Sequence, residues 1–284
     1  MNKLSEGTCA NCGKAEDASI DLKSCAACKL VKYCSRDCQA AHRPQHKKEC
    51  KKRAAELNDE KLFKQPPPEE DCPICMIRLP TLHTGRTYMM CCGKVICCGC
   101  IYAVQSRAAK AGRSKEDDIC PFCRTPLPKS DEEIIKRCEK RIEMNDAIAI
   151  TNIGSSYNQG SFGLPQNRAK ALKLFHRAAE LGNAASNYNI GVAYRNGRGV
   201  ERDEKKALHY YELAAMRGNV LARNNLGCSE AKAGYMDRAL RHYMIAVKDG
   251  SLESLENTKS MYGYGHATKD DYANALRSYC SSCQ

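Results

Sequence analysis

Past residue 129 the apolar positions recur with the spacing of paired helices. Ala171-Leu172-x-x-Phe175, Ala207-Leu208-x-x-Tyr211, Ala239-Leu240-x-x-Tyr243 and Ala275-Leu276-x-x-Tyr279 follow one another at offsets of 36, 32 and 36 residues. Ala178-Ala179-x-x-Gly182, Ala214-Ala215-x-x-Gly218 and Ala246-Val247-x-x-Gly250 keep step with them. Ile153-Gly154, Ile190-Gly191 and Leu226-Gly227 mark a preceding helix in each unit. A self-similar period of this length is the mark of a stacked repeat, each unit two antiparallel helices. Small Ala and Gly residues let the helices approach closely, and Gly182, Gly218 and Gly250 fall where helices stop. Tyr157-x-x-Gly160 and Tyr194-x-x-Gly197 end the first helix of their units, and the recurring tyrosines read as core between helices. Ser130-x-x-Glu133 ahead of Ile134-Ile135 is a capping box that opens the array.

The first part of the chain has no such pattern. Between residues 9 and 50 the large apolar side chains are Ile20, Leu22, Leu30, Val31 and Tyr33, too few for a core. Chains this short need a staple. Residues 51–64 have helical composition with mixed charge, and Pro66-Pro67-Pro68 ends any helix there as a stiff spacer.

Cysteine supplies the staple. Sixteen of the twenty cysteines lie between Cys9 and Cys123, and only Cys138, Cys228, Cys280 and Cys283 lie beyond. Such density means disulfides or metal. The segment MNKLSEGTCA has no apolar h-region, and no run of 18 apolar residues exists to span a membrane. A cytoplasmic or nuclear protein is expected, and a reducing compartment favours zinc. The net charge of +12 permits nucleic acid, anionic membranes or acidic proteins as partners and proves none of them. Zinc bound by four thiolates carries about −2, so much of the excess is compensated locally. Nucleic acid is therefore not the expected partner on charge alone.

In the first module the ligand candidates are Cys9-x-x-Cys12, Cys25-x-x-Cys28, Cys34-x-x-x-Cys38 and His46-x-x-x-Cys50. Eight ligands make two tetrahedral sites. A two-residue gap suits a tight turn; a three-residue gap suits one helical turn, so the last two pairs are expected on short helices. His42 lies off this spacing and reads as a packing or surface residue. The pattern, with Tyr33-Cys34-Ser35-x-x-Cys38-Gln39 and His46-Lys47-x-x-Cys50, resembles a MYND zinc finger. The resemblance implies interleaved pairs: Cys9, Cys12, Cys34 and Cys38 on one ion, Cys25, Cys28, His46 and Cys50 on the other. It also implies binding of short, often proline-containing, peptide segments of partners. Arg43 stands where the family often has Trp before the Pro at Pro44, which weakens a docking surface without touching the metal sites. Pro66 to Pro68 could serve as a self-ligand.

The second module reads Cys72-Pro73-Ile74-Cys75, then Cys91-Cys92-Gly93-Lys94-Val95-Ile96-Cys97-Cys98-Gly99-Cys100, then Cys120-Pro121-Phe122-Cys123-Arg124. This is similar to a RING finger, which implies one zinc on Cys72, Cys75, Cys97 and Cys100. The second site would take Cys92, Cys120 and Cys123, but the family's remaining ligand position falls on Lys94. A protonated lysine has no lone pair to donate. Cys91 is the first choice for the missing thiolate, with His83 and Cys98 as alternatives, because adjacent cysteines chelate awkwardly. About four zinc ions follow, two in each module.

RING fingers recruit a charged ubiquitin-conjugating enzyme and orient its thioester, without covalent chemistry of their own. The resemblance places Ile74 and Pro121 in an apolar dock and Arg124 as the linchpin, a planar fork able to bridge carbonyls on two proteins. Ile101-Tyr102-Ala103-Val104 offers a further apolar contact. The array, in turn, resembles Sel-one-like repeats, relatives of tetratricopeptide repeats, which present a concave surface to protein partners. In the fourth unit Thr258-Lys259 replaces the Leu-Gly pair, as expected of a polar end cap. Cys280 and Cys283 form a lone Cys-x-x-Cys without redox context and read as tail.

The expected architecture is multidomain: a MYND-like finger at 9–50, a helical and proline linker at 51–70, a RING-like finger at 71–128 and repeats at 130–283. Two small zinc-stapled α+β modules thus precede an all-α helical-hairpin solenoid. No Ser–His–Asp set, phosphate loop or paired carboxylates supports a hydrolase or oxidoreductase, and four-ligand zinc sites are closed. The leading expectation is a RING-type ubiquitin ligase whose finger and repeats bind substrates. A non-catalytic adaptor and a nucleic-acid-associated regulator are the alternatives.

Overall fold

The computed structural model describes residues 7–66, 70–81, 85–110 and 118–282. The chain divides into two compact units, one ending at Lys64 and one beginning at Gln65.

The first unit holds an antiparallel pair of very short strands, β1 (Lys23–Ser24) and β2 (Lys32–Tyr33), and one long helix, α1 (Arg36–Leu62). Its buried centre is Cys9, Leu22, Cys25, Cys28, Val31 and Tyr33, so half of the core is sulfur. Ser35 caps α1, its hydroxyl accepting from the Cys38 amide at 3.2 Å. The expectation of short helices for the last two pairs is corrected here. Cys34 precedes the helix, while Cys38, His46 and Cys50 share one helix that runs on through residues 51–62. Pro44 forfeits one i→i−4 bond, but nothing in the next eighteen residues stops the helix. The helical composition of 51–64 simply extends it.

The second unit begins with an antiparallel hairpin, β3 (Arg86–Met89) and β4 (Lys94–Cys97), paired Arg86 to Cys97 through Met89 to Lys94. Helix α2 (Cys98–Lys110) follows, and Leu79, Met89 and Ile96 are buried beside Cys72 and Cys120. Helix α3 (Asp131–Glu143) leads into the repeats, with Ser130 accepting from the Glu133 amide at 3.3 Å. Four hairpins succeed it. They are α4 (Ala147–Gln159) with α5 (Arg168–Glu180), α6 (Ala184–Asn196) with α7 (Glu204–Met216), α8 (Val220–Lys232) with α9 (Met236–Lys248), and α10 (Leu252–Gly263) with α11 (Lys269–Ser282). Together they form a helical solenoid.

Asn and Asp residues start most of these helices by accepting from amides two or three residues on, as at Asp146, Asn167, Asn183, Asp203 and Asn219. Within each of the first three hairpins a helical glycine faces an aromatic ring. A Cβ on Gly154, Gly191 or Gly227 would lie 2.8, 2.6 or 2.5 Å from the ring of Phe175, Tyr211 or Tyr243. The fourth hairpin lacks this device: Thr258 is fully buried and its hydroxyl donates to the Ser254 carbonyl at 2.8 Å.

The hairpin of the second module is tied to the solenoid through Asp146. Its Oδ1 caps α4 at the amides of Ile148 and Ala149, 3.0 and 3.2 Å away. Its Oδ2 accepts from Tyr88 on β3 at 2.8 Å and from Arg141 Nε and Nη2 at 2.9 and 2.7 Å. Burial works against the Asp146 charge, but the Arg141 and Tyr88 hydrogen bonds outweigh it and hold the carboxyl below its ordinary range. Arg137 adds a second tie, donating to the Pro126 carbonyl at 2.7 Å while pairing with Glu133.

Candidate metal centres

Four loops share one local geometry. In Cys9–Gly13, Cys25–Lys29, Cys72–Met76 and Cys120–Arg124 the amide of the fifth residue donates to the first cysteine's carbonyl, at 2.9, 3.0, 2.9 and 3.0 Å. The fifth residue is left-handed every time, with φ of 72° at Gly13, 60° at Lys29, 59° at Met76 and 63° at Arg124. Three of these are not glycine. Such a conformation costs on the order of 1–3 kcal/mol and persists where surroundings impose it. The turn aims both thiols of a Cys-x-x-Cys to one side.

The turn between β3 and β4 repeats the geometry with one substitution. The Gly93 amide donates to the Met89 carbonyl at 2.7 Å, and Gly93 has φ of 72°. Buried Met89 thus stands in the first cysteine's place and Cys92 in the second's. The thiol missing at Met89 has a neighbour in Cys91.

The side chains gather into four quartets, each with its ligand atoms within 4.8 Å of one another. They are Cys9, Cys12, Cys34 and Cys38; Cys25, Cys28, His46 and Cys50; Cys72, Cys75, Cys97 and Cys100; and Cys91, Cys92, Cys120 and Cys123. A tetrahedral ion with Zn–S bonds of 2.3 Å spaces its sulfurs by about 3.8 Å. Sulfur pairs here stand at 3.5 Å (Cys12–Cys34), 3.8 Å (Cys25–Cys50), 3.7 Å (Cys75–Cys97) and 3.9 Å (Cys92–Cys120). His46 Nε2 lies 3.2 Å from Cys28 Sγ. None of these separations is that of a disulfide, near 2.05 Å. The donor sets are those of structural zinc, closed and without a position for water.

The thiols in each set are unequal. Burial works against ionising Cys9, yet backbone amides of Cys12, Cys34 and Asn11 bring it down to about 6. Hydrogen bonds to Cys12 and Cys38 push Cys34 of the same quartet up to about 12. A divalent ion replaces the shared protons, so loading releases protons and affinity falls with acidity.

Other sequence expectations find their places. His42 ligates nothing: its Nδ1 is 3.0 Å from Tyr33 Oη, and its ring stacks on His46 at 5.6 Å. That contact orients an imidazole in the second quartet. Lys94 is exposed, its Nζ 6.0 Å from the centroid of Phe122. Cys98 is exposed at the start of α2 and joins no quartet; His83 and Cys283 lie outside the described residues, as do Pro67 and Pro68. Of the three residues expected to dock a conjugating enzyme, Ile74 and Arg124 are exposed, but Pro121 is buried. The apolar surface is instead extended by Met76, Ile77, Tyr102 and Phe122, exposed by 74, 67, 72 and 44%. Met76 and Ile77 follow the first knuckle directly, a signal in plain view that the sequence reading passed over.

Residues 9–50 match the MYND finger family, and residues 147–183 and 184–219 each match the Sel1 repeat. The chain thus carries a MYND finger ahead of at least two Sel1 repeats. An uncharacterized protein of Neisseria meningitidis serogroup B is 26% identical over 182 residues, 64% of this chain and 38% of that protein. The ERAD-associated E3 ubiquitin-protein ligase component HRD3B of Arabidopsis thaliana is 31% identical over 113 residues, 39% of this chain and 18% of that protein. The crystal structure of a Sel1 repeat protein from Oxalobacter formigenes aligns with a TM-score of 0.48 at 26% identity, covering 64% of this chain and 71% of that one. The chain spans well under half the length of these two curated relatives. Among the described residues, no helix is long and apolar enough to cross a membrane.

Proposed function

We propose that the four quartets each hold one zinc ion, and that the second module, residues 71–128, is a RING-type ubiquitin ligase finger. In this reading Cys91 is the fourth ligand of the last site, in place of the lysine at 94. The finger at 9–50 and the repeats at 130–283 supply substrate, joined by the helix and proline segment at 51–70.

One observation carries the ligase reading: Ile74, 41% exposed, and Arg124 are both exposed on their Cys-x-x-Cys turns, in a module that also exposes Met76, Ile77, Tyr102 and Phe122. An exposed Arg directly after the last ligand is placed to bridge carbonyls on two proteins, and solvent-exposed apolar side chains on the same module are what a conjugating enzyme's loop would cover. The relation to a ubiquitin ligase component supports the same direction. A groove of about 920 Å³ between the β3–β4 hairpin and the first turns of α6 and α8, with Arg217 and Leu221 on its rim, is where a substrate segment would lie beside the finger.

Autoubiquitination of the zinc-loaded chain tests this, across a panel of conjugating enzymes. Arg124→Ala and Ile74→Ala should each reduce conjugation at least tenfold while leaving the zinc content unchanged. Buried Pro121 favours a second reading, a non-catalytic adaptor, since it removes one of three docking contacts. No conjugation with any enzyme of the panel would decide for the adaptor.

A further inference from the structure

The net charge of the chain is spread along it, but on α1 it is concentrated. Arg43, Lys47, Lys48, Lys51 and Lys52 are all exposed, and Glu49 is the only acid among them. Residues four apart on a helix are neighbours, so 43–47, 47–51 and 48–52 are like-charge pairs, each weakening the helix. The acids further along do not relieve them, because Glu56 and Glu60 pair with Arg53 at 3.1 and 2.9 Å. Among the described residues none of the five makes an ion pair. Two zinc sites take ligands from this helix, one of four thiolates near its start and one of three thiolates and an imidazole. They carry about −2 and −1, so at least two of the five cations stay uncompensated.

The partner's chemistry follows from what accompanies the charges. The exposed apolar neighbours are only Ala40, Ala41, Pro44 and Ala55, and α1 exposes no large apolar or aromatic side chain. A protein partner would need such an anchor, since a few buried apolar or aromatic residues carry most interface energy. A phosphate backbone needs only cations, binding by release of its counterions. Four of the five are lysines, point charges that neutralise phosphates without a fixed hydrogen-bond geometry, which is all that binding without sequence readout needs.

We propose that the outward half of α1, through Arg43, Lys47, Lys48, Lys51 and Lys52, binds the phosphate backbone of nucleic acid without reading its sequence. The site is separate from the ligase reading and stands without it.

Fluorescence anisotropy of the zinc-loaded full chain on 20-base-pair DNA duplexes of two unrelated sequences tests it. With most of the five engaged, log affinity should fall against log salt with a slope of about −4, some 250-fold between 50 and 200 mM, alike for both duplexes. Replacing Lys47, Lys48, Lys51 and Lys52 by Gln should bring the slope near −1, with the zinc count unchanged by native mass spectrometry. If that variant loses zinc, the single changes Lys47→Gln and Lys48→Gln should each reduce the slope by about 0.9. A wild-type slope in the lysine variants, or tighter binding of a 20-residue polyglutamate than of duplex at 150 mM salt, overturns the proposal. The latter would assign the surface to acidic protein segments.

Discussion

The guanidinium of Arg141, on the helix that opens the solenoid, lies against Gly93, in the turn that carries Cys91 and Cys92; a Cβ at Gly93 would overlap its Nη2. Arg141 is itself fixed by Asp146, with both side chains mostly buried at 20 and 11% exposure. The last quartet is therefore gripped from outside its own module. Arg141→Ala should leave Asp146 buried with one partner fewer, at a cost of about 3 kcal/mol. Alkylation mapped by mass spectrometry should find Cys91, Cys92, Cys120 and Cys123 newly reactive, while Cys72, Cys75, Cys97 and Cys100 stay protected. Equal protection of both sets would show that the grip does not matter.

The glycine–aromatic contacts give an inverted expectation. Alanine in place of a helical glycine normally stabilises by about 1 kcal/mol. At Gly191 the new methyl would meet the Tyr211 ring at 2.6 Å and the Ala207 carbonyl at 3.2 Å. Overpacking of that kind costs roughly 1–3 kcal/mol, so Gly191→Ala should destabilise on balance. Gly263, also helical, has nothing within 4 Å, and Gly263→Ala should stabilise. Urea midpoints of the two variants moving in the same direction would refute the packing argument.

His242 makes the solenoid sensitive to acid. Burial, helped by Arg223, Arg238 and Arg241, lowers its pKa from 6.5 to about 3. The folded state then binds fewer protons than the unfolded one between those values, so stability declines as pH drops below 6.5 and levels off near 3. At pH 5 the loss is about 2 kcal/mol. His242→Gln should remove that share of the change in urea midpoint between pH 7 and pH 5. An unaltered pH dependence in the variant would place the effect elsewhere.

Much of this was legible in the sequence because spacing is local. The Ala-Leu-x-x-aromatic period foretold the hairpins, and the glycines at 182, 218 and 250 adopt the left-handed conformation expected after a helix. Spacing marked the cysteine pairs, whereas which pairs gather into one quartet came only as what the family resemblances imply. What escaped was non-local. One helix joining finger and linker depends on Pro44 being tolerated. The Tyr88–Asp146–Arg141 tie spans 58 residues between Tyr88 and Asp146 and leaves no periodic trace. Pro121 looked presented because the knuckle motif is, yet the turn folds its ring inward.

Native mass spectrometry of the chain purified under reducing conditions tests the zinc account most directly. Four bound ions are predicted, each lost to chelator together with the circular-dichroism signature of the first unit and of the β3–β4 module. A mass showing no metal, with the sulfurs joined in pairs or the fold indifferent to chelation, would contradict it.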